Sequence, residues 1–92
     1  FIFSDDIHWC EKNLTFRKGI FINSFEKRIP HEDIYLMSLC NDNIISNSTF
    51  GWWGAWLNEN KNKKVIAPKR WFSNNILEQQ SRMIVCDSWV RL

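Results

Sequence analysis

The segment Ile44-Ile45-Ser46-Asn47-Ser48-Thr49-Phe50-Gly51 places hydroxyl and small residues directly after two β-branched ones. Where a strand gives way to a helix, the first backbone N–H groups lack an intrahelical acceptor and carry the positive end of the helix dipole. Such a turn can hold a phosphate through amide donors alone, without a cation. Ser48 and Thr49 would add hydroxyl donors, and Gly51 allows a ligand to approach the backbone closely. The same residues equally compose a capped helix with nothing bound. No GxGxxG and no GxxxxGK[ST] occurs, which argues against NAD and P-loop ATP chemistry. Ser48 lies in no GxSxG elbow, and the sequence places no His/Asp partner for a hydrolase.

The carboxylates are the second group of interest. Asp33 falls in the first turn of an expected helix, where it could accept two hydrogen bonds from the N1–H and N2–H₂ edge of guanine. An ordinary surface carboxylate complementing the helix dipole would stand at the same place. Asp5 and Asp6 form an adjacent pair, for at least one of which helix capping is a sufficient role. His8 and His31 belong to no Cys/His or HExxH cluster, so no zinc site is suggested. Cys10, Cys40 and Cys86 are odd in number and unsuited to a fully paired disulfide framework, and they read as reduced thiols.

These residues must be positioned by a small fold. The 92 residues, 45% of them hydrophobic and 24% charged with three Gly and two Pro, exclude a disordered or collagen-like chain. A net charge of +2 is too slight to argue for a nucleic-acid partner. No apolar run reaches the length of a membrane span. Six Trp, at 9, 52, 53, 56, 71 and 89, exceed what a core of this size requires. The arc formed by Phe50, Trp52, Trp53, Trp56 and Leu57 is wide enough to be covered on two sides, by the sheet and by further protein.

Along the chain, Phe1–Phe3 reads as a buried strand and Ser4-Asp5-Asp6 as a helix cap, followed by Ile7, Cys10 and Leu14 on one helical face. Ile20–Ile22 reads as a second buried strand and Asn23–Arg28 as a loop. Pro30 starts a second, mostly buried helix that Asn41-Asp42-Asn43 stops. Ile44-Ile45 makes a third strand, Ser48 or Thr49 caps a third helix running to about Asn58, and Val65–Ala67 makes a fourth strand closed by Pro68. Lys61, Lys63 and Lys64 read as a solvated turn. Residues 69–82 read as loop with one helical turn, and Met83–Val85 as a last strand. The order β-α-β-α-β-α-β predicts an α/β fold, a Rossmann-like parallel sheet with helices on both faces. Ligands of such sheets bind beyond the carboxyl ends of the strands, here at Ser4–Asp6, Asn23–Phe25 and Ser46–Phe50.

The run Asn43-Ile44-Ile45-Ser46-Asn47-Ser48-Thr49-Phe50-Gly51-Trp52-Trp53-Gly54-Ala55-Trp56-Leu57 resembles the C-terminal signature of bacterial alpha-1,2-fucosyltransferases. Phe3-Ser4-Asp5-Asp6-Ile7-His8-Trp9-Cys10 is similar to that family's strand–SDD–helix segment. Glu32-Asp33-Ile34-Tyr35-Leu36-Met37-Ser38 is similar to its acidic D-x-x-x-M-S helix, and Val65-Ile66-Ala67-Pro68-Lys69-Arg70-Trp71-Phe72 to the strand that follows. The resemblance runs from Phe1 to about Trp89. It implies a metal-independent, inverting transfer of fucose from GDP-fucose to a galactose hydroxyl, in a two-Rossmann fold of GT-B type with no cofactor.

By the same resemblance Asp33 matches the acidic residue that reads guanine. Ser48, Thr49, Phe50 and Gly51 match the loop that grips the β-phosphate, and Asp5 and Asp6 match an Asp pair near the nucleotide. The family's basic H-x-R-R-x-D motif has no counterpart, and no catalytic residue is assigned. The chain therefore reads as one domain, residues 1–92, the C-terminal donor-nucleotide half of a longer enzyme and inactive alone. Its expected partners are GDP-fucose, a galactoside acceptor held by the other half, and a second copy meeting the exposed Trp-rich face. A cytoplasmic place, at most peripheral to the inner membrane, is expected. A Trp-rich sugar-binding or protein-interaction module without a nucleotide site is the alternative from a different class. A response-regulator-like domain with Asp5 as phosphoacceptor lacks a placed lysine partner.

Overall fold

Parallel pairing of short β-branched segments sets the architecture. The computed structural model describes residues 1–22 and 29–92, so the expected loop at Asn23–Phe25 lies outside the described residues. The chain divides into two compact units, Phe1–Asp33 and Ile34–Leu92.

In the first unit, helix α1 covers Ile7–Asn13. Asp6 caps it, its carboxylate accepting from the Trp9 amide at 2.9 Å, while the Asp6 amide donates to Ser4 Oγ at 3.0 Å. Ile7 and Cys10 are buried, as their i, i+3 spacing predicts. Phe1–Phe3 and Ile20–Ile22 do pair in parallel, but only as one isolated bridge between Ile2 and Phe21. Two amide bonds hold it, Ile2 to the Ile20 carbonyl and Ile22 to the Ile2 carbonyl, each 2.8 Å. The expectation of two buried strands is thereby corrected, since Phe1 and Ile20 are exposed. The crossing at Gly19 is tight: a Cβ there would stand 2.9 Å from Phe16 Cβ.

Helix α2, Pro30–Ser38, begins in the first unit and ends in the second. Proline lacks the N–H that a first-turn residue could not use, and Glu32 and Asp33 meet the positive end of the dipole. Beyond it come β1 (Asn43–Ile44), α3 (Thr49–Trp56), β2 (Val65–Ala67), α4 (Asn75–Gln80), a 3₁₀ turn at Ser81–Met83 and β3 (Val90–Arg91). The three strands form a parallel sheet in the order β1-β2-β3, with Asn43 opposite Val65 and Ile66 opposite Val90. The fold is thus α/β, with a small three-stranded parallel sheet and four helices among the described residues.

The last strand is not Met83–Val85 as expected. The amides of Ile84 and Val85 both turn back to the Ser81 carbonyl, at 3.1 and 3.0 Å, which spends that apolar run on a helical turn. Val90–Arg91 pairs instead, and the Leu92 amide donates to the Ala67 carbonyl at 2.9 Å.

The core of this unit consists of Ala55, Val65, Ala67, Trp71, Val85 and Trp89, with Ile45, Trp52, Phe72, Ile84 and Cys86 packed on it. Two of the six Trp therefore are core, each burial contributing roughly 1.5–3 kcal/mol or more. Trp52 is half-buried, stacking on Trp56 with centroids 5.2 Å apart and donating its indole N–H to the Ile84 carbonyl at 2.7 Å. Trp9, Trp53 and Trp56 are about half exposed.

Two polar devices fasten the helices. Asn58 Nδ2 donates to the Cys40 carbonyl at 2.7 Å and to Asn43 Oδ1 at 2.8 Å, and Asn43 Nδ2 donates to the Met37 carbonyl at 2.9 Å. Both Asn are buried, and the pair bonds carbonyls in the last turn of α2 and just beyond it from inside. Lys63 is not the solvated residue expected: its ammonium donates to the carbonyls of Ala55, Trp56 and Asn58 and so caps the end of α3.

Candidate functional site at the carboxyl edge of the sheet

Because β1 and β2 run parallel, the segments leaving them emerge on the same edge. The β1 exit is Ile45–Ser48 and the β2 exit is Pro68–Phe72. Ser48 is the N-cap of α3 in extended geometry, φ −127° and ψ 137°, and its side chain accepts from the Phe50 amide at 3.3 Å. The first intrahelical bond here is Trp52 N–H to the Ser48 carbonyl, 3.1 Å. The amides of Thr49, Phe50 and Gly51 precede it, and of these Ser48 takes Phe50. Between Ser48 and Thr49, the structure selects Ser48 as the cap.

Gly51 has a structural reason of its own. A Cβ at this position would lie 3.3 Å from Ile45 Cβ, so the missing side chain lets the first turn of α3 close on the strand exit. Gly54 is tighter still, with Met37 Cβ 2.6 Å from where its Cβ would stand.

The expected site residues occupy three helix starts. Ser48, Thr49, Phe50 and Gly51 form one continuous turn in the unit Ile34–Leu92. Asp5 and Asp6 precede α1, and Asp33 lies half-buried in the first turn of α2, all in the unit Phe1–Asp33. Asp6 is occupied as a cap; Asp5 is exposed beside it.

The structure adds residues to this edge that the sequence pattern did not single out. Asn47 Nδ2 donates to the Trp71 carbonyl at 3.1 Å, joining the two strand exits. Asn47, Arg70, Trp71, Phe72 and Ser73 line an open hollow of about 320 Å³. Arg70 donates through Nε to the Phe72 carbonyl at 2.9 Å and through Nη2 to the Ser73 carbonyl and Asn75 Oδ1. Glu78, from α4, accepts the amides of both Trp71 and Phe72. These amides, with Ser81 and Arg91, stabilise the ionised carboxylate and hold its pKa below the ordinary value; partial burial opposes them. Cys86 shifts the other way, because burial pushes its thiol pKa up. The signal for Glu78 was weak, a lone carboxylate six residues past an aromatic pair.

Among the described residues no three His, Cys, Asp or Glu side chains converge to hold a metal ion. Among them, too, no helix is long and apolar enough to cross a membrane.

The parallel α/β unit thus sets a capped, hydroxyl-rich helix start beyond the carboxyl end of a strand. The whole chain, residues 1–92, matches the sequence profile of Glycosyl transferase family 11, and it belongs to that family. It is 39% identical over 92 residues to the O-antigen biosynthesis glycosyltransferase WbnK of Escherichia coli, covering 99% of this chain and 29% of that protein. It is also 39% identical over 95 residues to an alpha-1,2-colitosyltransferase of Escherichia coli, covering 100% of this chain and 32% of the relative. Galactoside 2-alpha-L-fucosyltransferase SEC1 of Bos taurus is 38% identical over 58 residues, 61% of this chain and 16% of its own length. The chain thus spans about a third of the two bacterial relatives. No solved structure gives a significant match.

Proposed function

We infer that this chain is the donor-nucleotide-binding part of a longer, GT-B-type transferase that moves L-fucose from GDP-fucose to a galactose hydroxyl in alpha-1,2 linkage. The observation that carries the reading is the family match across residues 1–92, which includes the Ser48 turn and both aspartate segments. The linkage rests on relatives whose names specify alpha-1,2 or galactoside 2-alpha transfer.

In this reading the amides and hydroxyls of Ser48, Thr49, Phe50 and Gly51 receive the β-phosphate. Asp33 accepts the N1–H and N2–H₂ edge of guanine, which adenine and uracil cannot offer, and Asp5 and Asp6 stand near the nucleotide. As the bond from fucosyl C1 to the phosphate oxygen breaks, negative charge gathers on GDP. Donors already aimed at that oxygen stabilise the charge more in the transition state than in the ground state. Inversion and independence of metal ions follow from the family resemblance, as does the placing of the acceptor sites outside these residues. A cytoplasmic site of action, peripheral to a membrane at most, suits a glycan-building enzyme of this kind. The half-exposed Trp53 and Trp56 suit contact with the rest of the enzyme or a second copy.

A second reading keeps the linkage and changes the sugar, since one relative is named a colitosyltransferase. One experiment separates the two. The full-length enzyme is given a β-galactoside with GDP-fucose or the corresponding colitosyl nucleotide, and the product linkage is read by NMR. Fucose on the galactose 2-hydroxyl supports the first reading and colitose there the second. Transfer of neither sugar overturns both.

A further inference from the structure

We propose that Glu78 is a positioning residue for the Ser48 turn, acting through Trp71 and Asn47 to hold the phosphate-gripping amides in place. The inference rests on the reading of that turn given above. Both carboxylate oxygens of Glu78 are engaged. Oε2 accepts from the Trp71 amide at 2.8 Å and from the Phe72 amide at 2.7 Å. Oε1 accepts from Ser81 Oγ at 2.9 Å and from Arg91 Nη2 at 3.2 Å. Two consecutive backbone donors on one ionised oxygen are strong, charge-assisted bonds, and they fix the exit of β2 at a single place.

That exit carries the next link. The Trp71 carbonyl accepts from Asn47, and Asn47 directly precedes Ser48, the cap of α3. The chain of contacts therefore runs from α4, through the β2 exit, to the start of α3, with Arg91 of β3 holding the far oxygen. All of these residues lie in the unit Ile34–Leu92. A shift of the β2 exit moves the residue from which the Ser48 turn starts, and misplacement of binding groups by about 1 Å can cost up to a hundredfold in rate.

A carboxylate is needed at this position. Glutamine has nearly the same shape but carries no charge and only one acceptor oxygen. With its NH₂ toward the two amides, donor meets donor; with its oxygen there, the amide bonds lose their charge assistance and the NH₂ faces the Arg91 guanidinium. Glu78→Gln thus weakens the clamp in either orientation while leaving volume nearly unchanged.

The test uses the full-length enzyme with Glu78→Gln, Asn47→Ala, the double variant, and Val65→Ala as a stability control. Val65 is a buried core residue at the amino end of β2, opposite Asn43, and makes none of the hydrogen bonds of this chain of contacts. Kinetics are measured well below the lowest unfolding midpoint. Each single variant is expected to lower kcat/KM for the donor by roughly tenfold to a hundredfold with acceptor KM unchanged. The double variant should be no worse than the poorer single one, because both cut the same chain of contacts. Val65→Ala should unfold earlier yet keep its donor kcat/KM. Unchanged donor kinetics in Glu78→Gln, multiplying effects in the double variant, or the same defect in Val65→Ala would each overturn the proposal. If the wild type transfers neither sugar, the reading of the turn fails and this inference falls with it, an outcome recognisable in the wild type alone.

Discussion

The side-chain amide of Asn47 donates to the backbone carbonyl of Trp71 at 3.1 Å, so the residues leaving β1 and β2 are tied together at one sheet edge. The turn at Ser48–Gly51 is therefore anchored on its N-terminal side by a partner 24 residues away, besides its own cap. Preorganisation of this kind is what the proposed phosphate grip of backbone amides requires.

Removing the cap should weaken both helix and grip. Ser48→Ala removes the acceptor of the Phe50 amide, and loss of a Ser cap costs about 1 kcal/mol. Urea unfolding of the full-length enzyme should show a loss of that order, and calorimetry a weaker GDP affinity. A variant with lower stability but unaltered GDP affinity would separate the cap from the ligand site.

Gly54→Ala sets two effects against each other. Alanine favours the helix by about 1 kcal/mol, but overpacking costs about 1–3 kcal/mol. The added Cβ would stand 2.6 Å from Met37 Cβ, an atom that no side-chain rotation moves, so the clash should win. Thermal unfolding should show a lower midpoint, and Met37→Ala, which keeps the Cβ, should not restore it.

The buried amide pair should be sensitive to charge. Asn58→Ala strands the Cys40 carbonyl and Asn43 Oδ1, at about 1–3 kcal/mol. Asn58→Asp removes the same donors and sets a carboxylate against Asn43 Oδ1, so in urea titrations it should be the more damaging of the two.

Much of this framework was legible in the chain itself. The i, i+3 pair Ile7 and Cys10, the capping Ser48 and the strand Val65–Ala67 all stand as their residue types predict. These rest on local chemistry: spacing, caps and β-branching. What was illegible depends on distant partners. Met83–Val85 had strand composition, yet Ser81 holds the amides of Ile84 and Val85 in a turn, and Val90–Arg91 takes the sheet edge. Lys63 looked like one of a solvated trio and caps α3, because its stem reaches three carbonyls that sequence spacing alone does not place. The Ser48–Gly51 turn was readable as a helix start, whereas Asn47, Arg70 and Glu78 became visible only when the sheet brought two strand exits side by side.

The acid stability of the protein should depend on Glu78. Its folded pKa lies below the ordinary carboxylate value of about 4.5, so its contribution is full above that value and lost as pH falls through the lower folded pKa. Glu78→Gln should therefore lower the unfolding midpoint at neutral pH, and the gap to wild type should narrow in acid. An equal gap at all pH values would contradict an ionised Glu78 clamp.

The most direct test of the proposed donor site is nucleotide selectivity at Asp33. Calorimetric titration of the full-length enzyme with GDP and UDP, in the wild type and in Asp33→Asn, compares guanine with a base that lacks the N1–H and N2–H₂ donor pair. The account predicts that the wild type prefers GDP and that the substitution weakens GDP binding by roughly 1.5–3 kcal/mol, the range for a hydrogen bond to a charged group, with UDP unaltered. Equal binding of both nucleotides before and after the substitution would contradict it.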